Sequence, residues 1–280
     1  MNNNATHTIL IAGGAGFIGS HLSEFCLDKN FKVMVIDSLI TGREENIKKL
    51  HKNKNFSFIK ADISKSDFPK HLTNNNFSHI FHLASPASPP KYQAKPIETM
   101  HANSVGTENL LKIAKKQNSR FVFASTSEVY GDPQVHPQTE SYWGNVNSFG
   151  PRSCYDEAKR YGEAICYTYL NKFDLDIRIA RIFNTYGPNM DPADGRVVSN
   201  FINQIIKNKP ISIYGDGSQT RSFCYVSDMV EGLWKLAIEN VKGEIINIGN
   251  PVERTVLETA KLIKKITNSE SEIVYSELPQ

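Results

Sequence analysis

Short apolar runs alternate with amphipathic stretches along the first two thirds of the chain. The runs predict buried β-strands at 8–12, 31–36, 56–59, 80–83, 121–125 and 175–182. Apolar residues between them recur at helical spacing, most clearly at 17–25 and 97–116. Strands that alternate with helices in this way are typical of a parallel, doubly wound α/β sheet, which binds ligands at the carboxyl edge of its strands.

The pattern of apolar runs and amphipathic stretches changes after residue 183. Residues 184–195 are polar and contain Pro and Gly, and the elements beyond them are shorter. Helices are predicted at 197–207, 230–238 and 256–266, and strands at 211–214, 223–226 and 245–248. We therefore predict a first domain over residues 1–183 and a smaller domain over 184–280, which closes over the first and mainly binds substrate.

Composition is that of an ordinary globular protein, with 40% apolar and 22% charged residues. The net charge of +3 is small and the basic residues are spread out, so no nucleic-acid partner is expected. Residues 1–7 lack the apolar core of a secretion signal, and no apolar run has membrane-spanning length. The four cysteines, Cys26, Cys154, Cys166 and Cys224, lack metal-binding spacing, so we expect a reduced, cytoplasmic protein without a metal or membrane partner.

Three glycines follow the first predicted strand at the spacing G-x-x-G-x-x-G: Gly13, Gly16 and Gly19. Phe17 and Ile18 begin the helical pattern, so the glycines lie at a strand-to-helix turn. There they permit a tight turn and allow backbone N–H groups to approach a pyrophosphate at the helix N-terminus. Such a motif is often only a glycine-rich turn, but this context favours a Rossmann-like dinucleotide site.

Asp37 ends the second predicted strand, 18 residues after Gly19. An acid here accepts a hydrogen bond from a ribose 2′-OH and repels a 2′-phosphate, so NAD is favoured over NADP, although the nearby Arg43 opposes that preference. Capping of a turn is the alternative role for Asp37 and for Asp62, which follows the third strand and could contact the adenine. Further cofactor contacts are predicted beside these strand ends: Ser38, Thr41, Gly42, Ile63, Leu83, Ala84 and Ser85.

Tyr155 and Lys159 lie four residues apart after Pro151, and they share one face if this segment is helical. A phenol has a pKa of about 10, and a neighbouring ammonium or a cationic nicotinamide favours its ionised form. A pKa of about 7 requires roughly 4 kcal/mol of such stabilisation, at about 1.36 kcal/mol per unit. Alone, such a pair is usually two surface neighbours; with the upstream nucleotide site it predicts a catalytic base that also contacts the cofactor.

Together these residues resemble the extended short-chain dehydrogenase/reductase superfamily of NAD-dependent epimerases and dehydratases. The resemblance is closer still to the UDP-glucuronate decarboxylase (UDP-xylose synthase) family. It is carried by HLASPASPPKYQ (82–93), STSEVYGDP (125–133), GPRSCYDEAKR (150–160), RIFNTYGP (181–188), DGRVVSNFI (194–202) and YGDGSQTRSFCYVSD (214–228). The glycines and the Tyr155/Lys159 pair identify only the superfamily, whereas SPASPPKYQ and QTRSF are much more specific.

The resemblance implies a carboxy-lyase that converts UDP-glucuronate to UDP-xylose and CO₂ through a 4-keto sugar, using tightly bound NAD that is regenerated. In this scheme Tyr155, supported by Lys159, takes the proton of the C4 hydroxyl, and Thr126 hydrogen-bonds the C4 oxygen. A homodimer formed through residues 97–116 and 155–169 is also implied.

The same resemblance places Ser127 and Glu128 near C5 and the departing carboxylate. Arg221 matches an arginine near the substrate carboxylate and diphosphate, which the planar guanidinium suits. Six residues match or border the UDP-sugar pocket: Pro86, Lys91, Tyr92, Asn184, Arg196 and Gln219.

Two other sugar-nucleotide activities and one non-enzymatic role are alternatives. The similar 4,6-dehydratases typically carry Asp where this chain has Ser127, because they need an acid to protonate a departing hydroxide. A simple 4-epimerase would not need Glu128 with Arg221, and a non-catalytic NAD-binding regulator would not need the catalytic set at all. Residues 147–149 differ from the Asn-Pro-Ile usual in the family, and we expect the sequence to be incomplete at its C-terminus, where the family has a further segment.

Overall fold

The computed structural model describes residues 8–68, 72 and 75–277. The helices are α1 (Phe17–Asp28), α2 (Pro89–Ala94), α3 (Pro96–Asn103), α4 (Val105–Gln117), α5 (Ser153–Phe173), α6 (Val197–Ile206), α7 (Val226–Ile238) and α8 (Val256–Ile266). The strands are β1 (Thr8–Ala12), β2 (Lys32–Asp37), β3 (Phe56–Lys60), β4 (Phe77–His82), β5 (Arg120–Thr126), β6 (Ile177–Ile182), β7 (Thr185–Tyr186), β8 (Ile211–Tyr214), β9 (Thr220–Ser222), β10 (Cys224–Tyr225), β11 (Ile245–Ile248), β12 (Glu253–Thr255) and β13 (Ile273–Ser276).

A seven-stranded sheet in the order β11-β6-β5-β4-β1-β2-β3 forms the centre of the molecule, and every neighbouring pair in it is parallel. Alternate residues of β1 point to opposite faces of the sheet. Ile9 and Ile11 pack under α1 and α7, whereas Leu10 packs on the face covered by α4 and α5. The predicted parallel, doubly wound α/β fold is therefore confirmed. Because the strands are parallel, their carboxyl ends meet at one edge, where the site is found.

Several predicted boundaries were wrong where a polar side chain interrupts a pattern. β4 starts at Phe77 rather than residue 80, although Ser78 and His79 break the apolar run. The single helix predicted at 97–116 is divided into α3 and α4 at Ser104, whose hydroxyl donates to the carbonyl of Met100 at 2.7 Å.

Two further predicted elements differ from those in the structure. The loop predicted at 85–92 contains the start of α2, because Pro89 and Pro90 occupy the first turn, where a helix tolerates proline. The strand predicted at 223–226 shrinks to Cys224–Tyr225, and α7 begins four residues earlier than predicted.

The C-terminal third contributes to both layers of the molecule. β11 joins the central sheet beside β6, and α7 packs on α1 through Trp234, whose ring centre lies 6.0 Å from that of Phe25. A separate small core unites α6, β8 and α8, with Phe201 and Ile211 at its centre. The division at residue 183 therefore stays a prediction about substrate binding, since the chain beyond it also completes the cofactor-domain sheet.

No helix in the described part of the chain is long and apolar enough to span a membrane.

Candidate active site

A cavity of about 420 Å³ opens at the carboxyl edge of the sheet, between the first domain and the segment that follows β6. It brings together most of the predicted site: Gly13, Gly16, Phe17, Ile18, Gly19, Thr41, Leu83, Ser85, Lys91, Tyr92, Thr126, Ser127, Glu128, Tyr155, Lys159, Asn184, Arg196 and Arg221. A smaller cavity of about 60 Å³ adjoins it and is lined by the rest of the predicted cofactor set: Asp37, Ser38, Gly42, Asp62, Ile63 and Ala84.

Pro86 and Gln219 are not among the described residues that line either cavity. The carbonyl of Pro86 accepts a hydrogen bond from Ser85 Oγ at 2.9 Å. Gln219 donates through Nε2 to the carbonyl of Tyr214 at 3.0 Å, so its amide is used within its own loop. Their predicted contacts with a UDP-sugar stay predictions.

The glycine turn fits a bound pyrophosphate. Helix α1 begins directly after Gly16, no side chain caps its N-terminus, and its first turn contains no acidic residue. Its first N–H groups and the positive end of the helix dipole are therefore available to an anion. Gly13 has φ +83°, and a Cβ there would lie 2.5 Å from the backbone nitrogen of Ala84, so the turn tolerates no side chain at this position.

Asp37 caps two turns, and its position also leaves it available for the predicted contact with a ribose hydroxyl. Its carboxylate accepts from the backbone N–H of Ala15 at 3.0 Å and of Leu39 at 2.8 Å, so it caps the surrounding turns. It also lines the smaller cavity, and each carboxylate oxygen retains capacity for a further donor such as a ribose hydroxyl. Burial raises the pKa of Asp37, while these two N–H groups oppose the rise.

Arg43, which could have favoured a 2′-phosphate, lies on the larger cavity and not on the smaller one with Asp37. Its guanidinium donates to the carbonyl of Asn189 at 2.9 Å and to the side chain of Asn46 at 3.2 Å. These bonds join the segment after β2 to the segment after β6, and the charged residues that line the smaller cavity are the acidic Asp37 and Asp62.

Tyr155 lies buried on α5, with its ring stacked on that of Tyr92 at 4.9 Å and an interplanar angle of 5°. Burial raises the pKa of Tyr155 to about 12, although a hydrogen bond from Thr126 and the positive charge of Arg196 act in the opposite direction. The lowered phenol pKa expected from the sequence is therefore not produced by the protein itself, because desolvation outweighs the favourable contacts.

Lys159 lies one turn after Tyr155 on α5, as the spacing predicts. Its Nζ donates to the carbonyl of Ala124 at 2.7 Å and lies 5.9 Å from the centre of the Tyr155 ring. Burial lowers the pKa of Lys159 to about 7, and the carboxylate of Glu163 opposes that change. Burial thus disfavours the charged form of the lysine, and its expected role in lowering the phenol pKa stays a prediction.

The depressed pKa of Lys159 predicts a pH-dependent stability. Between about pH 7 and the unfolded value of 10.5 the unfolded chain binds this proton and the folded chain does not, so stability rises with pH in that window. We expect this lysine to contribute a slope of up to about 1.4 kcal/mol per pH unit.

Urea unfolding of the wild type and of Lys159→Met at pH 7.5, 8.5 and 9.5 measures this contribution, because the difference between the two proteins removes other titrating groups. A shallower rise in the variant is the expected result. Parallel curves would show that the lysine titrates alike in the folded and unfolded chains.

Arg152 is a charged residue of the candidate site that the sequence analysis did not single out. It precedes α5, lines the larger cavity, and forms an ion pair with Glu128, whose carboxylate is about one-third exposed. Arg152 lies three residues before Tyr155, on the same side of the start of the helix. This spacing could have indicated from the sequence that Arg152 lies near the site.

The remaining charged groups on the substrate side are already engaged. Lys91 pairs with Asp191 at 2.9 Å, and Arg196 pairs with Asp194. Arg221 donates to the carbonyl of its neighbour Thr220 and is exposed. Further cavity-lining residues that sequence reasoning did not single out include Phe183, Tyr186, Asn189 and Met190.

A buried polar network lies behind the cavity. Glu163, one turn beyond Lys159 on α5, accepts from Ser125 Oγ at 2.6 Å and from Nε and Nη2 of Arg181 at 3.0 and 2.8 Å. Arg181 continues to the hydroxyl of Tyr130 at 2.9 Å. This network fixes β5, β6 and α5 relative to one another directly beneath Thr126 and Tyr155.

Within the described residues, no group of three or more His, Cys, Asp or Glu side chains is arranged to hold a metal ion.

Comparison with known proteins gives matching families and relatives. Residues 9–249 match the NAD dependent epimerase/dehydratase family. UDP-glucuronic acid decarboxylase 1 of Danio rerio is 49% identical over 267 residues, which are 95% of this chain and 62% of that protein. UDP-glucuronic acid decarboxylase 6 of Arabidopsis thaliana is also 49% identical, over 95% of this chain and 76% of that protein. The chain thus spans about three fifths of the length of the Danio rerio relative.

Solved structures resemble the fold over nearly the whole chain. A UDP-glucose 4-epimerase from Thermotoga maritima, solved with UDP-glucose, has a TM-score of 0.88 and 30% identity over 98% of this chain and 86% of its own. A UDP-glucuronic acid 4-epimerase from Bacillus cereus, solved with UDP-glucuronic acid and NAD, has a TM-score of 0.84 and 30% identity over 96% of this chain and 86% of its own.

Proposed function

The chain belongs to the NAD dependent epimerase/dehydratase family, and from this premise we propose that it binds NAD and decarboxylates UDP-glucuronate to UDP-xylose. The observation that carries the proposal is one cavity in which Ser127 and Glu128 lie beside Thr126 and Tyr155, with no Asp in the place that a dehydratase needs. The names of the relatives with 49% identity support the same activity.

The glycine turn, Asp37 and the two adjoining cavities would hold the NAD. When bound, NAD would supply the group that accepts the hydride from C4 of the sugar and later gives it back. Tyr155 takes the C4 hydroxyl proton, with Thr126 hydrogen-bonded to the phenol. Ionising a phenol of pKa about 12 at pH 7 costs about 7 kcal/mol, at about 1.36 kcal/mol per unit. Positive charge from Arg196, from the protonated form of Lys159 and from the ring of the bound cofactor would offset that cost.

Oxidation at C4 makes the substrate a β-keto acid. The bond between C5 and the carboxyl carbon then breaks, its electron pair moves into the C4 ketone, CO₂ leaves, and C5 takes a proton. Ser127 and Glu128 follow β5 directly, at the end of the strand that also carries Thr126, and this position supports the proposal that they lie near C5. A serine here adds no charge that would repel the substrate carboxylate.

We also infer that the protein is a homodimer. Helices α3, α4 and α5 carry exposed apolar side chains, including Ile97 at 59%, Met100 at 45% and Tyr167 at 67% exposure. An apolar surface of this kind is typical of an interface. Light scattering after size exclusion tests the state, and a mass near that of one chain would contradict the dimer.

Incubation with UDP-glucuronate and NAD tests the proposed activity. We expect CO₂ and a UDP-pentose, with catalytic amounts of NAD sufficient because the hydride is returned. The likeness to a UDP-glucuronic acid 4-epimerase makes epimerisation the second candidate. It would convert the substrate to its C4 epimer without releasing CO₂, so the carbon count of the product separates the two reactions.

A further inference from the structure

Arg152 stands between two carboxylates at the substrate end of the cavity. Its guanidinium forms an ion pair with Glu128 on one side, and its Nε lies 3.4 Å from Oδ2 of Asp156 on the other. The Asp156 side chain is only 8% exposed, whereas those of Glu128 and Arg152 are 35% and 47% exposed. The arginine therefore has one buried anchor and one partner that faces the cavity.

The buried carboxylate of Asp156 is held mainly by Arg152. Oδ1 of Asp156 is buried without a hydrogen-bond partner among the described residues, so its charge depends on the guanidinium. Burial raises the pKa of Asp156, and the charge and hydrogen bond of Arg152 oppose that rise. A guanidinium has five donors in a planar fork and can serve two carboxylates at once, which an ammonium cannot do with comparable geometry.

Within the part of the chain that the structure describes, Arg152 is the one cationic residue that forms an ion pair with Glu128. Arg160, the next arginine on α5, donates instead to the carbonyls of Val129 and Trp143 and lies 3.6 Å from Glu157. It secures the backbone after Glu128 but not the carboxylate.

We propose that Arg152 is the positioning residue of the decarboxylation, which holds the Glu128 carboxylate beside C5 while Asp156 fixes the guanidinium from behind. This inference rests on the proposed function and deepens it. Because Glu128 occupies the guanidinium, the substrate carboxylate is left without that cation and is free to depart as CO₂. The binding of the sugar carboxylate then falls to other groups, such as Arg221.

A double-mutant cycle tests the proposal with purified enzyme and UDP-glucuronate. We expect Arg152→Ala to lower kcat by about 10- to 100-fold, since a misplaced catalytic group costs about that much, with KM changed by less than about threefold. Glu128→Gln should lower kcat at least as far. The double variant should lose no more than Glu128→Gln alone, because the arginine acts through the glutamate.

Arg160→Ala is the matched control, because it removes a guanidinium from the helix that Arg152 precedes and loosens the backbone after Glu128. We expect it to keep kcat within about threefold of the wild type. An equal loss in Arg160→Ala and Arg152→Ala would overturn the proposal in favour of general loosening of the segment. Arg152→Gln, which retains a donor for Asp156, replaces the alanine variant if the latter does not fold.

Titration calorimetry separates positioning from direct substrate contact. We expect Arg152→Ala to bind UDP-glucuronate and UDP-glucose in the same ratio as the wild type. A selective loss of at least tenfold for UDP-glucuronate, or kcat losses that multiply in the double variant, would show that the guanidinium binds the sugar carboxylate itself. An unchanged kcat in Arg152→Ala also overturns the inference. A wild type that releases no CO₂ refutes the proposed function and this inference with it.

Discussion

Replacing Tyr155 by Phe is expected to lower kcat by about 10²- to 10⁴-fold, the range found for loss of a general base. The phenol ring stacks on Tyr92 and is buried, so the phenylalanine keeps the packing and removes only the hydroxyl that Thr126 contacts. Binding of NAD and of UDP-glucuronate should therefore change little. Steady-state turnover, together with calorimetric titration of both ligands, measures the two effects separately.

Tyr92→Phe is the control variant, because it removes the hydroxyl from the other ring of the same stack. That hydroxyl is buried without a hydrogen-bond partner among the described residues, so we expect a much smaller loss, below about tenfold. Equal losses in the two variants would show that the stack matters and the Tyr155 proton does not. Full activity in Tyr155→Phe would remove that residue as the base.

Replacing Glu163 by Gln is expected to reduce the free energy of unfolding by about 3–5 kcal/mol, the usual effect of removing one partner from a buried ion pair. The amide keeps the size of the side chain but leaves the guanidinium of Arg181, whose side chain is 10% exposed, without its countercharge. Lys159 also loses the nearby carboxylate that favours its charged form. Such a change is a large part of the 5–15 kcal/mol that typically stabilises a domain.

Glu157→Gln on the same helix is the control, because Glu157 meets Arg160 at 3.6 Å in a pair that is more than one-third exposed. Exposed pairs contribute about 0–1 kcal/mol, so this variant should unfold close to the wild-type urea midpoint. Equal midpoints for the two variants would show that the network of Glu163 adds no more than a surface contact does.

The sequence by itself determined what local spacing can encode. The apolar runs and the helical spacing between them gave the alternating elements of the sheet, because side-chain periods of 2 and 3.6 are local properties. The glycine spacing after β1 and the four-residue step from Tyr155 to Lys159 were likewise readable, since each lies within one turn or one helix.

Only the tertiary structure decided how distant segments meet. β11 lies beside β6, about 65 residues earlier in the chain, and no local pattern specifies that pairing. Burial depends on every neighbour at once, and it raises the pKa of Tyr155 and lowers that of Lys159, which the spacing of the two residues does not reveal. The pairing of Glu128 with Arg152 also needed the fold, because the two are separated by a loop whose path the residue types do not determine.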